Sequence, residues 1–328
     1  MLHLFRNKSP YTVLILLIVA LLLKSGVLAH PQAPARLDGY FLYNAVIGLL
    51  NVVVRGNAFF YTFLAVIMLF LQALYINAIT TRHRLSLRPT YFPALAYILF
   101  TSIHPAFNYF GVPVLVNWCM LIGMDIWLGF NHSVNPRKNL FNAAFAVSLA
   151  AVLHFAGVGY LAVFLGALLL LRPYNTGELI VAGMGYLTPL YFSAGILFIV
   201  DMLPELARWP NLDFTIMRRV DAPVYLGIAL GGAAILVASG VYAMQQYLPK
   251  ATIYVRRGWM TILFYLIMSV LVAALGDVQV NNAWLFTIPA LSMFIAQGFM
   301  LEKSKWFSNF IFYFSIILVL ACQWAVNK

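Results

Sequence analysis

Apolar stretches of about 17 to 25 residues recur along nearly the whole chain, and no other feature constrains the fold as strongly. Each stretch is long enough to cross roughly 30 Å of hydrocarbon as a helix. Backbone groups inside lipid must be satisfied by the protein itself, which leaves helices or a closed barrel. The residue alternation of a lipid-facing strand is absent, so an all-α membrane protein is predicted. Composition agrees: 63% of residues are hydrophobic and 9% charged, against roughly 25% charged in a soluble domain.

Eleven spans are predicted, near 11–29, 59–79, 91–110, 112–130, 139–155, 157–171, 178–200, 224–247, 259–276, 283–301 and 306–325. The run from Phe41 to Val54 is too short for a comfortable crossing and is flanked by Asp38 and Arg55. It is read as one outer interfacial or re-entrant helix. The N-terminal apolar run to Ala29 is read as a retained first span, being long and lacking a small-x-small cleavage site behind a short core. With no internal repeat and no low-complexity tract, residues 1–328 are expected to form a single polytopic transmembrane domain.

A formal charge of +11 would point to nucleic acid in a soluble chain. Here the basic residues sit in short clusters between apolar runs, and no nucleic-acid partner is expected. With the N-terminus inside, 13 of the 20 Lys and Arg fall on the inner side, among them Arg82, Arg84, Arg137, Lys138 and Arg172. That bias predicts a cytoplasmic N-terminus and a periplasmic C-terminus. Two longer outer segments result, from His30 to Phe59 and from Asp201 to Pro223.

Asp38 is the acidic residue of the first outer segment. It has the chemistry of a general base toward an acceptor hydroxyl or amine, and equally of a helix cap or a partner for Arg36 or Arg55. Arg36, Arg55, Arg218 and Arg219 match phosphate oxygens with their guanidinium forks, and suit bulk anionic lipid as well. Asp125 lies within the fourth span, where a carboxylate needs a functional reason or a basic partner such as Arg137, Lys138 or a neighbouring helix. His104 and His154 are intramembrane polar groups near the outer side. The six histidines share no i, i+4 spacing, so no metal site and no cofactor are expected.

Structural roles are read for the rest. Glu178 complements a helix N-terminus behind Asn175. The seven tryptophans are expected mostly at headgroup level, and Gly183, Gly185, Gly195, Gly227, Gly231 and Gly232 at close helix contacts. Thr188-Pro189 and Ile288-Pro289 are expected to kink their spans. Cys119 and Cys322 are read as buried inert thiols.

Several local motifs carry a resemblance. Pro136-Arg137-Lys138-Asn139-Leu140-Phe141-Asn142-Ala143, Ala150-Ala151-Val152-Leu153-His154-Phe155, Leu171-Arg172-Pro173-Tyr174-Asn175 and Gly185-Tyr186-Leu187-Thr188-Pro189 stand in sequence. Together with Gln72-Ala73-Leu74 they resemble a family of inner-membrane proteins from Bacteroidota bacteria that has no established activity to lend. That resemblance implies a bacterial inner-membrane location. The first span, the outer loop with Asp38-Gly39-Tyr40 and the short following helix are similar to the glycosyltransferase C superfamily. Members of that group take sugars from polyprenyl-phosphate carriers at the outer face, with a catalytic acid in that loop. The chain departs from the group in having no paired acidic motif beside Asp38.

Three functions are therefore expected: first a membrane protein of unassigned activity, such as a noncatalytic envelope-assembly component with protein partners. The second is a glycosyltransferase C-like enzyme using a polyprenyl-phosphate sugar, and the third a lipid or solute transporter. Membrane lipid is a partner in each.

Overall fold

The computed structural model describes residues 5–6, 10–86, 88–130, 135–173, 175–210, 223–275, 277, 279–280, 282–300 and 305–326. No strand occurs among them. In chain order the α-helices are α1 (Pro10–Leu23), α2 (Ser25–Ala29), α3 (Phe41–Val54), α4 (Ala58–Arg82), α5 (Phe92–Thr101), α6 (Val112–Leu128) and α7 (Pro136–Leu153). They continue with α8 (Tyr160–Leu171), α9 (Thr176–Ile199), α10 (Pro204–Arg208), α11 (Pro223–Tyr247), α12 (Ile253–Ala274), α13 (Ile288–Phe299) and α14 (Lys305–Val326).

Every predicted span contains helix, but the helices are of two kinds. Five are long and apolar enough to cross a membrane: α4, α9, α12, Gly227–Lys250 around α11 and Trp306–Ala325 within α14. Others are much shorter, with 10 residues in α5 and 12 in each of α8 and α13. Ten residues rise only about 15 Å. By length and composition, five full crossings are supported among the described residues, and the eleven predicted are not confirmed.

Proline explains two of the shortfalls. Pro105 forces His104 into an extended conformation (φ −127°, ψ 135°), so the span predicted to run to residue 110 stops at Thr101 and resumes as a 3₁₀ turn over Pro105–Asn108. Pro289 sits in the first turn of α13, where its missing N–H is harmless, and so starts a helix instead of kinking one. Pro189 does lie inside α9, as expected. Two of these shorter helices are the most enclosed: every residue of α5 is buried, and so is every residue of α13 except Leu291. Long helices such as α9 instead turn apolar side chains outward, among them Ile180, Met184, Leu187 and Tyr191.

Close helix contacts set the arrangement of this core. A Cβ on Gly185 of α9 would lie 2.5 Å from the Phe141 carbonyl oxygen of α7, and one on Gly240 of α11 would lie 2.2 Å from that of Phe294 of α13. Gly232 likewise meets Leu318 of α14, whereas Gly183, Gly195, Gly227 and Gly231 have nothing within 4 Å. Packing uses the glycines on inward faces and ignores the lipid-facing ones.

Tryptophans divide in the same way. Trp306 and Trp324 are exposed, in keeping with a headgroup position, but Trp127 and Trp259 are fully buried. Trp259 Nε1 donates to the Leu85 carbonyl at 3.0 Å, which ties α12 to the segment after α4. Cys119 and Cys322 are free and buried.

Candidate active site at one end of the bundle

The segment from His30 to Tyr40 has almost no regular structure and is held by side chains from elsewhere. Tyr109 Oη donates to the His30 carbonyl at 3.0 Å, and Gln32 N donates to Thr62 Oγ1 at 3.1 Å. Asn44, in the first turn of α3, closes the segment by accepting from Leu37 N at 3.1 Å and donating to Leu37 O at 2.7 Å. Each of these satisfies a backbone group that the absence of helix leaves open.

Asp38 follows directly. Its backbone N–H donates to Gln279 Oε1 at 3.1 Å, while its side chain remains at the exposed surface. Gln279 is fixed in turn by Asp277, which accepts from Gln279 N on Oδ1 and from Gln279 Nε2 on Oδ2, both at 3.0 Å. Asp277 is 3% exposed. The backbone of Asp38 and the buried carboxylate of Asp277 are thereby joined through a single glutamine.

Gly39 has φ +80°, and a Cβ there would meet the Arg208 carbonyl oxygen at 2.6 Å. Left-handed backbone and close approach both demand glycine at this position. The segment at Arg208 therefore rests on the segment at Gly39. Trp209 extends the contact by packing edge-on against Phe155, with ring centroids 4.9 Å apart. Tyr40 completes the assembly: its hydroxyl lies 3.2 Å from His154 Nδ1, and the two rings stack at 5.9 Å.

The fold has a counterpart among solved structures. The chain is similar in fold to the Archaeoglobus fulgidus oligosaccharyltransferase in its apo form, with a TM-score of 0.54 and 13% sequence identity. The similarity covers 96% of this chain and 56% of that one. This chain thus spans little more than half the length of its structural neighbour. No family model matches the sequence and no curated protein matches it, so the resemblance to the Bacteroidota family has no support from them.

The predicted site residues do not all gather here. Arg36 lies two positions before Asp38 and is exposed. Arg55 caps the C-terminus of α3 with φ 50°, and the 14 residues of that helix separate it from Tyr40 by roughly 20 Å. Arg218 and Arg219 lie outside the described residues. His104 accepts from Ala106 N through Nδ1 at 3.2 Å and packs against Phe107 and Tyr225.

Asp125 belongs to the opposite end of the bundle, where α4 and α6 finish. Its carboxylate pairs with Arg82, accepts from Tyr75 Oη at 3.0 Å and contacts His83 Nε2 at 2.8 Å. A neighbouring helix supplies the partner expected of an intramembrane acid, but it is α4 and not Arg137 or Lys138. Glu178 sits in the first turn of α9 behind the Asn175 cap and pairs with Arg172 Nη2 at 2.9 Å.

Asp277 and Gln279 escape the sequence reading. The visible signal is an acid in the short connection after the ninth span, on the side assigned to Asp38. Among the described residues no group of three or more His, Cys, Asp and Glu is arranged to hold a metal.

Proposed function

We propose that this protein is a membrane-embedded transferase of glycosyltransferase C type, which moves a sugar from a polyprenyl-phosphate carrier to an acceptor at the outer membrane face. Asp38 is the general base in this reading. Its carboxylate takes the proton of the acceptor hydroxyl or amine as that atom attacks the anomeric carbon, and the phosphate leaves with the carrier. Arg36, Arg218 and Arg219 are the cations proposed for the carrier phosphate, while Arg55, at the far end of α3, is left to the lipid headgroups.

One observation carries the reading: Asp38 is open at the surface while its backbone is clamped through Gln279 to the buried Asp277. Pre-positioning of this kind is what a base requires, because proton abstraction needs about 2.6 to 3.2 Å reach. The fold similarity to an oligosaccharyltransferase adds to it. In the same reading the chain is one transmembrane domain of a bacterial inner membrane, with a cytoplasmic N-terminus, a periplasmic C-terminus and α3 in the outer interface.

Transfer from a polyprenyl-phosphate sugar by purified protein tests the proposal. Loss of product in Asp38→Asn, with folding retained, is the expected result. Undiminished transfer by that variant sinks the assignment.

A further inference from the structure

The junction of α1 and α2 carries a buried cation whose described partners are neutral. Lys24 is 1% exposed. Its ammonium donates to Thr101 Oγ1 at 3.0 Å and to Asn108 Oδ1. Asn108 is itself fixed, because its Nδ2 donates to the carbonyls of Thr101 and His104. Among the described residues no carboxylate pairs with Lys24. An ammonium taken out of water costs several kcal/mol unless a counter-charge offsets it, and neutral oxygens offset it only in part.

Beside this lysine lies a cavity of about 580 Å³, within the roughly 300–1,000 Å³ typical of small-molecule sites. Its wall includes both chain neighbours of the lysine, Leu23 and Ser25, and its partner Asn108, together with His30, Ser102 and Gln323. The ammonium thus stands immediately behind the wall. Gln323 Nε2 donates to the carbonyls of Leu23 and Ser102, both at 3.0 Å, and so joins the end of α14 to the ends of α1 and α5.

Two exposed apolar rows run from this junction along the neighbouring helices. Leu14, Ile18 and Leu22 form one on α1, and Tyr313, Ile317 and Leu320 form the other on α14. Steps of three or four residues place each row on one helix face. The cavity therefore combines a polar chamber backed by a cation with apolar tracks that end beside it.

We propose that this cavity binds the phosphate-bearing headgroup of an anionic lipid, with Lys24 as the counter-charge and the hydrocarbon chains along the rows on α1 and α14. The phosphate provides the negative charge that Lys24 lacks. The apolar rows favour a lipid over free phosphate, which has nothing to place against them. This site involves neither Asp38 nor the transfer reaction, and it stands whether or not that reading holds.

Native mass spectrometry of the full-length protein in detergent tests it, with phosphatidylglycerol, phosphatidylcholine and inorganic phosphate titrated separately. Phosphatidylglycerol is expected to bind at least roughly tenfold more tightly than phosphatidylcholine, and Lys24→Met to erase that preference. Gly26 lines the cavity, and a Cβ there meets nothing within 4 Å. Gly26→Leu therefore places a side chain in the chamber from a Cβ that meets open space, and should cut phosphatidylglycerol binding by a similar factor; it decides the matter alone if Lys24→Met does not fold. Equal binding of the two lipids, or phosphatidylglycerol binding unchanged in Gly26→Leu, overturns the proposal. So does saturable binding of inorganic phosphate, lost in Gly26→Leu, without binding of phosphatidylglycerol.

Discussion

Asp38 and Gln279, 241 positions apart in the chain, are joined by a hydrogen bond of 3.1 Å from the backbone N–H of the first to the side-chain oxygen of the second. The contact ties the segment before α3 to the connection between α12 and α13. Because Gln279 also donates to the buried Asp277, the position of Asp38 depends on groups at both ends of the sequence.

Gln279→Leu tests that dependence. It leaves the Asp38 N–H and one Asp277 oxygen without this partner, each worth about 0.5 to 1.5 kcal/mol net. Under the transferase reading, kcat is expected to fall by about tenfold with a smaller change in KM. A variant with unaltered kcat separates Gln279 from the site.

Gly39→Ala places a methyl group 2.6 Å from the Arg208 carbonyl oxygen in a backbone that already has φ +80°. Strain of this kind costs on the order of 1 to 3 kcal/mol. The thermal midpoint in detergent should drop by several degrees, while Gly26→Ala, which meets nothing within 4 Å, should leave it within error.

Gly240→Ala is expected to be more severe, since its Cβ would press on the Phe294 carbonyl oxygen at 2.2 Å and force α11 and α13 apart. Overpacking of this type costs about 1 to 3 kcal/mol and sometimes more. Loss of monodisperse protein on size-exclusion chromatography is the expected readout. Gly183→Ala, which has open space around it, serves as the matched control and should be neutral.

Asp125→Ala removes the shared acceptor of Tyr75, Arg82 and His83. The cost falls mainly on the buried His83 and the half-buried Tyr75, because Arg82 is 61% exposed and regains water. We expect destabilisation of about 1 to 3 kcal/mol, read as reduced resistance to heat or denaturant. Arg82→Ala should cost less than Asp125→Ala, and the reverse order would contradict this account.

Orientation can be read in intact cells by cysteine labelling, with Cys119 and Cys322 giving little background because both are buried. A membrane-impermeant maleimide should label Arg55→Cys and leave Lys250→Cys unlabelled until the membrane is opened. The opposite pattern would invert the proposed topology.

Sequence alone determined that the chain is a bundle of apolar helices, where those helices fall and which residue types each could spare. Hydrocarbon length and the need to satisfy backbone groups in lipid are local demands, legible in any stretch of about 20 residues. Hence the helix positions, the short helix at Phe41–Val54 among them, were readable. Helix lengths were less legible, because α5 and α13 are surrounded by protein and need not match the thickness of a bilayer.

Only the tertiary structure decided which distant residues meet. Apolar periodicity says nothing about partners, so the Asp277–Gln279 clamp on Asp38 stayed hidden in a short connection, and Asp125 found Arg82 rather than Arg137. Glycines at similar spacing proved unequal, since only those facing another helix, such as Gly185 and Gly240, are required by contact. Nothing in the sequence around Lys24 sets it apart from the other basic residues; the fold encloses it between Thr101 and Asn108. Burial is a property of the assembled bundle, and burial is what turns a topological charge into a candidate binding group.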